Sequence, residues 1–279
     1  MSFLTQVLVW LQTAANALGH ALDWVPYLPG WLSATIIAVA TGVVMLIAFK
    51  HTSNQAAIKR VRRSIKANLL SVKLYKDSIR VALRAQFNVL VGAMKLLFLA
   101  IVPMLVMLVP MVLLLGQVAL WYQKAPLPVG VESEVTVKLG GDAGSPLPEV
   151  ELEPSSGVEA VVGPVRVPSQ REVCWSVKGL TPGYHTLIFR VDGQEFTKRL
   201  AVGDGTMRVS ERRPPWEWDQ VILHPQEKPF RPESIVQSID IAYPSRDSWI
   251  SGTDYWVITL FIVSLVAGFL LRKPLKVNL

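Results

Sequence analysis

Apolar positions follow three different rhythms along this chain. Over residues 2–25 they recur at helical spacing (Leu4, Val7, Leu8, Leu11, Leu18, Leu22, Val25), with Gln6, Thr13, Asn16, His20 and Asp23 near a second stripe, until Pro26, Pro29 and Gly30 intervene. This predicts an amphipathic N-terminal helix, residues 1–30, lying in a membrane interface; as a span it would need a partner in the bilayer for each of five polar groups. No basic segment precedes it, so a cleaved signal peptide is not expected. The second rhythm is continuous apolarity. Trp31–Phe49 runs 19 residues without a charge, 96–121 is a longer run broken by Pro103 and Pro110, and Tyr255–Leu271 is a third. Each predicts a transmembrane helix. The third rhythm is alternation. Short two-periodic runs separated by Gly, Pro and Asp fill residues 126–210: Val131–Leu139, Glu149–Glu153, Val158–Val167, Glu172–Lys178, His185–Val191, Gln194–Val202 and Met207–Ser210. About seven short strands point to an antiparallel β-sandwich of immunoglobulin-like type. Asp192-Gly193 marks a two-residue hairpin that sets Phe189 opposite Phe196 and Arg190 opposite Glu195. Trp175 then belongs in the core, with Cys174 on the opposite face. Residues 211–254, rich in Pro and Trp, read as an extended membrane-proximal segment with one strand at Ser238–Tyr243.

Between the first two apolar runs, residues 50–95 carry eleven bases against one acid, Asp77. Apolar residues recur there at Ile58, Val61, Ile65, Leu69, Val72, Ile79, Leu83, Phe87 and Leu90, and no Gly or Pro interrupts 52–91, so the segment is helical. About forty helical residues would extend roughly 60 Å. Because both ends return to one membrane face, the arm either lies flat or folds back as a hairpin, with a bend and cap near Lys76-Asp77-Ser78.

Charge fixes the expected orientation. A cationic arm between two spans marks the cytoplasmic side, which places the N-terminus outside, the β domain outside and the tail, 272–279, inside. Arg272 and Lys273 after the third span agree independently. The net charge of +7 therefore reflects topology: residues 122–254 hold 14 bases and 19 acids, which argues against a DNA partner. A bacterial inner membrane is the expected location. Candidate contacts for a client segment or for lipid on the arm are Lys59, Arg60, Arg62, Arg63, Lys66, Lys73, Lys76, Arg80 and Arg84. Met104, Met107 and Met111 in the second span are soft surfaces for client helices or gap-fillers around the prolines.

No catalytic or cofactor chemistry emerges. The four histidines show no metal-ligand spacing, a single cysteine excludes a CxxC pair, and no GxSxG, HExxH or phosphate-loop pattern is present. No metal, cofactor or enzymatic activity is expected.

The layout over residues 31–121 and 255–273, with Asn54-Gln55 through Gln86 as a coiled-coil-like arm, resembles the YidC/Oxa insertase superfamily, including its archaeal members and the insertase subunit of the ER membrane complex. The resemblance implies a cytoplasmic arm, Lys59–Arg84, that receives clients, and an intramembrane polar groove lined by Thr35, Thr41, Gln117, Thr259 and Ser264. The expected function is insertase-like or that of a membrane-protein chaperone, with nascent membrane proteins or the ribosome as partners alongside the lipid bilayer. Its alternative is a membrane-anchored binding or scaffold protein whose outer β-sandwich recognises an envelope partner.

Overall fold

Helix and strand divide the chain much as its apolar rhythms do. The computed structural model describes residues 2–74, 79–142, 145–153, 156–246, 255–275 and Val277. The order is α1 (Ser2–Gly19), two 3-10 turns (His20–Leu22 and Val25–Tyr27), α2 (Gly30–Thr52), α3 (Gln55–Leu74) and α4 (Ile79–Tyr122). There follow β1 (Glu132–Leu139), β2 (Val150–Leu152), β3 (Val158–Val167), β4 (Glu172–Gly179), β5 (Gly183–Val191), β6 (Gln194–Val202), β7 (Arg212–Arg213), α5 (Trp218–Leu223), β8 (Val236–Ile241) and α6 (Tyr255–Leu271). The molecule is thus mixed α and β. Two helices, α2 and α4, are long and apolar enough to cross a membrane; α6 is a shorter apolar helix of 17 residues. The chain forms two compact units, residues 1–34 with 112–258, and residues 35–111 with 259–279.

The first unit holds the strands, all paired antiparallel, in a five-stranded sheet β3-β4-β1-β8-β7 and a three-stranded sheet β2-β5-β6. Alternation decides which side chains enter the shared core. Along β1, Val135, Val137 and Leu139 are buried between exposed Glu132, Glu134 and Lys138; along β4, Val173, Trp175 and Val177 are buried. The Trp175 ring meets Phe189 from β5 at 5.4 Å between centroids. The hairpin at Asp192-Gly193 pairs Phe189 with Phe196 and Arg190 with Glu195, and Arg190 is ion-paired to both Glu195 and Glu153. Both turn residues have positive φ, as a tight two-residue hairpin turn requires.

The free edge of β6 is sealed by the segment that follows. The Ala201 N–H donates to Tyr243 Oη (2.9 Å), the Arg199 N–H to Glu227 Oε1 (2.9 Å), and the Thr197 carbonyl accepts from the Arg213 guanidinium (2.6 Å). Side chains thus satisfy groups that an open edge would offer to other chains. Lys198 Nζ, fully buried, donates to Ser210 O (2.8 Å) and to Glu227 Oε2 (3.0 Å), fastening the same segment. Residues 211–246 therefore strap across β6 and also supply β7 and β8 of the larger sheet, so the run expected to be membrane-proximal is part of the β unit itself. Met207–Ser210, expected to be a strand, is not one: the Val209 N–H donates instead to Leu120 O at the end of α4 (2.8 Å). The expected extended run also contains a short helix, α5.

The second unit is helical. Asn54 caps α3, its Oδ1 accepting from the Ala57 N–H (3.0 Å). α3 and the start of α4 form a helical hairpin: Asn88 Nδ2 donates to Asn68 Oδ1 (3.3 Å), and Gly92 lies against Ile65 so closely that an added Cβ would stand 2.6 Å from Ile65 Cγ1. The expected bend at Lys76-Asp77-Ser78 lies outside the described residues, as do 247–254 and Lys276, Asn278 and Leu279. The boundary expected between arm and second span, at 95/96, is no break: α4 is one 44-residue helix that accommodates Pro103 and Pro110. α2 and α6 meet at Gly42, where any Cβ would strike the Ser264 carbonyl, so this glycine is what lets the two helices come close.

Candidate functional site

The hairpin gathers the arm residues into a two-sided surface. Ile58 and Ala85 are buried, Gly92 is buried against Ile65 and Val61 of α3, and Val61, Ile65 and Val72 are partly buried. The rest of the arm's apolar series is not buried there. Leu83 (60% exposed), Phe87 (64%) and Leu90 (60%), with Ile79 and Met94, line the side of α4 turned away from Ala85 and Gly92, and hence from α3. One amphipathic stripe in the sequence is thus two surfaces in the structure, one spent on the hairpin and one left open.

The cations have their own places. Lys59, Arg60, Arg62, Arg63 and Lys66 are exposed on α3, and Lys73 belongs to the same helix. Arg80 and Arg84 are exposed on α4 at one edge of the open apolar stripe. There they border a depression of about 320 Å³ between the helices, lined also by Asn68, Ser71 and Asn88. Lys76 lies outside the described residues. Among the described residues no arm cation pairs with a carboxylate, and Asp77 is the sole acid in the whole second unit.

The residues expected to line an intramembrane groove occupy diverse surroundings. Thr41 is buried and its hydroxyl donates to Ile37 O of its own helix (2.7 Å); Ser264 does likewise to Phe261 O (2.9 Å). Such back-bonding satisfies a hydroxyl without any partner from another helix. Thr35 and Met104 are exposed, Met107, Met111 and Thr259 partly buried. Met94, Met104 and Met111 fall on the continuation of the hairpin's open stripe along α4.

Gln117 belongs to a separate polar cluster in the first unit. Its Nε2 donates to Asn16 Oδ1 of α1 (2.9 Å); the Arg208 guanidinium donates to Asn16 Oδ1 (2.9 Å) and to Gln117 Oε1 (2.6 Å). Asn16 Nδ2 donates to Pro225 O (2.6 Å) and Gln12 Nε2 to Val221 O (3.0 Å). Burial pushes the Arg208 pKa down, partly opposed by the Asp23 carboxylate. α1 therefore turns Gln12 and Asn16 inward, while Gln6, Phe3 (81% exposed), Val7 and Trp10 (73%) face out. Arg208 carried no signal in the sequence, since its partners lie 91 and 192 positions away.

Among the described residues no group of three or more His, Cys, Asp or Glu is arranged to hold a metal ion. The hairpin presents an open apolar stripe with a cationic, amide-lined edge. No family model, no curated protein and no solved structure matches the chain.

Proposed function

We propose that this is an integral membrane protein with an insertase-like or membrane-protein chaperone role, and that its helical hairpin receives apolar segments of client proteins. One observation carries the reading: the open stripe of the hairpin belongs to the same unbroken helix as the proposed second span. α4 has 44 residues, roughly 66 Å of helix, whereas a bilayer's hydrocarbon needs about 20 residues. The surplus stands beyond the hydrocarbon. A helix that continues a span cannot also lie flat on the membrane, so the stripe at Leu83, Phe87 and Leu90 is poorly placed to bury itself in lipid. Leaving it in water costs about 25 cal/mol per Å², which a passing apolar segment would recover.

In this reading α2, α4 and α6 are three spans of a bacterial inner membrane, the hairpin is cytoplasmic, and the immunoglobulin-like β unit is outside. α1 lies in the outer interface, supported by its exposed Phe3 and Trp10 and its inward Gln12 and Asn16. A photocrosslinker in place of Phe87 tests the role in cells. Capture of short-tailed membrane proteins during synthesis, together with their failed insertion on depletion, is expected. Insertion unchanged by depletion would reject it.

A second reading has its own support. β3 is the edge strand of the larger sheet and leaves Val161, Val162 and Val165 exposed beside a depression of about 490 Å³. This fits a β unit that recognises an envelope partner, with the spans as anchor. Substituting Val162 and Val165 by Ser would then abolish co-purification of that partner while sparing insertion.

A further inference from the structure

The open stripe keeps a regular spacing that suits a second helix packed along it. Leu83, Phe87, Leu90, Met94 and Leu97 alternate steps of four and three, and the same alternation continues along α4 to Met111. Steps of three and four, repeating every seven residues, are the spacing at which one helix packs its knobs into the holes of another. The occupant that matches is a helix.

The two edges of the stripe differ. On one lie Arg80, Arg84 and, further along, Lys95; on the other lie Ala82, Gln86 and Ala93, with no charge. Arg80 and Arg84 also border the depression of about 320 Å³ lined by Asn68, Ser71 and Asn88, so amide and hydroxyl groups stand beside the guanidiniums. Arg presents a planar fork of donors suited to carboxylates. The second unit has only Asp77 to offer them, while the arm as a whole carries eleven bases. Two copies of the chain packed stripe to stripe in parallel would bring these cations together, which disfavours self-association at this end of the helix.

We propose that the open face of α4 docks a client α-helix that has an apolar seam and a row of acidic residues along one edge, with the acids meeting Arg80 and Arg84. This rests on reading the hairpin as a client-receiving arm, and adds which clients it prefers and in which rotational setting they dock.

The test uses the full-length protein in nanodiscs of zwitterionic lipid, with a photocrosslinker in place of Gln86, and two synthetic helical peptides sharing one apolar seam. One peptide carries Glu along a single edge, the other Lys at the same positions. Exposed ion pairs are individually weak, so the Glu peptide is expected to bind on the order of fivefold tighter at low salt, with the gap closing at high salt. Arg80→Glu with Arg84→Glu should reverse the preference, and Arg80→Lys with Arg84→Lys should largely keep it. Equal binding of both peptides to the unaltered hairpin would overturn the acidic-edge inference and leave the client-receiving reading standing. Binding of neither peptide, with crosslinks to lipid or to a second copy instead, would overturn both.

Discussion

Lys198 and Glu227 show how much one buried pair can do. The Lys198 side chain has no accessible surface, and that burial pushes its pKa below the ordinary lysine range against the pull of Glu227. Removing one member of such a pair leaves the other charge uncompensated in a poor solvent. Glu227→Gln is expected to destabilise the β unit by about 3 kcal/mol, readable as a lowered unfolding midpoint, and to loosen the strap that seals β6. His224, in the same strap, responds to pH. Burial first and the Arg212 guanidinium second lower its pKa from the ordinary 6.5. The sign follows directly: the neutral ring is what the fold accepts, so this contribution is complete above pH 6.5 and is lost as pH falls through the lower folded value. Unfolding midpoints of wild type and His224→Asn should converge as the solution is acidified below 6.5, the wild type losing more. Parallel curves would show that His224 takes no part. None of these contacts was legible in the sequence. Lys198 stands in an alternating run as any solvated lysine would, and Glu227 lies 29 positions away among prolines.

At the scale of elements, local rules were readable and facing rules were not. The Asp192-Gly193 hairpin needs only its own residues, and its register is the one that the turn dictates. Trp175 and Cys174 on opposite faces follow from period two alone. The arm's helicity was equally local, but its apolar series could not say which members face α3. Gly92 decides it, because the missing Cβ is what lets Ile65 approach. Gly92→Leu would force the helices apart and cost about 1–3 kcal/mol, and spin labels at Lys66 and Lys95 should report a broadened separation. An unchanged distance would mean that the hairpin closes elsewhere. α1 carries the same lesson with the faces exchanged. Of its polar stripe Asn16 turns in to bind the Pro225 carbonyl, and Gln12 beside it binds that of Val221, while Phe3, Val7 and Trp10 point outward.

For the whole molecule, the continuity of α4 matters more than the number of helices. The arm and the second span had been separable by charge and hydropathy, since Lys95 divides a cationic run from an apolar one, yet no backbone break follows from that change of composition. A helix propagates through any residues that tolerate it. The expected groove residues illustrate the opposite limit: side-chain hydroxyls such as Thr41 and Ser264 can close on their own helix, and polarity alone does not reveal when they will.

The most direct measurement is an accessibility scan of single spin labels along residues 79–111 in bilayers, with Cys174 replaced by Ser. Labels at Leu83, Phe87 and Leu90 should collide with a water-soluble relaxant and hardly with lipid-dissolved oxygen, while Val102 and Leu105 should show the reverse. If Leu83 and Phe87 instead report lipid, the stripe is a membrane anchor, and the hairpin has no open face for a client.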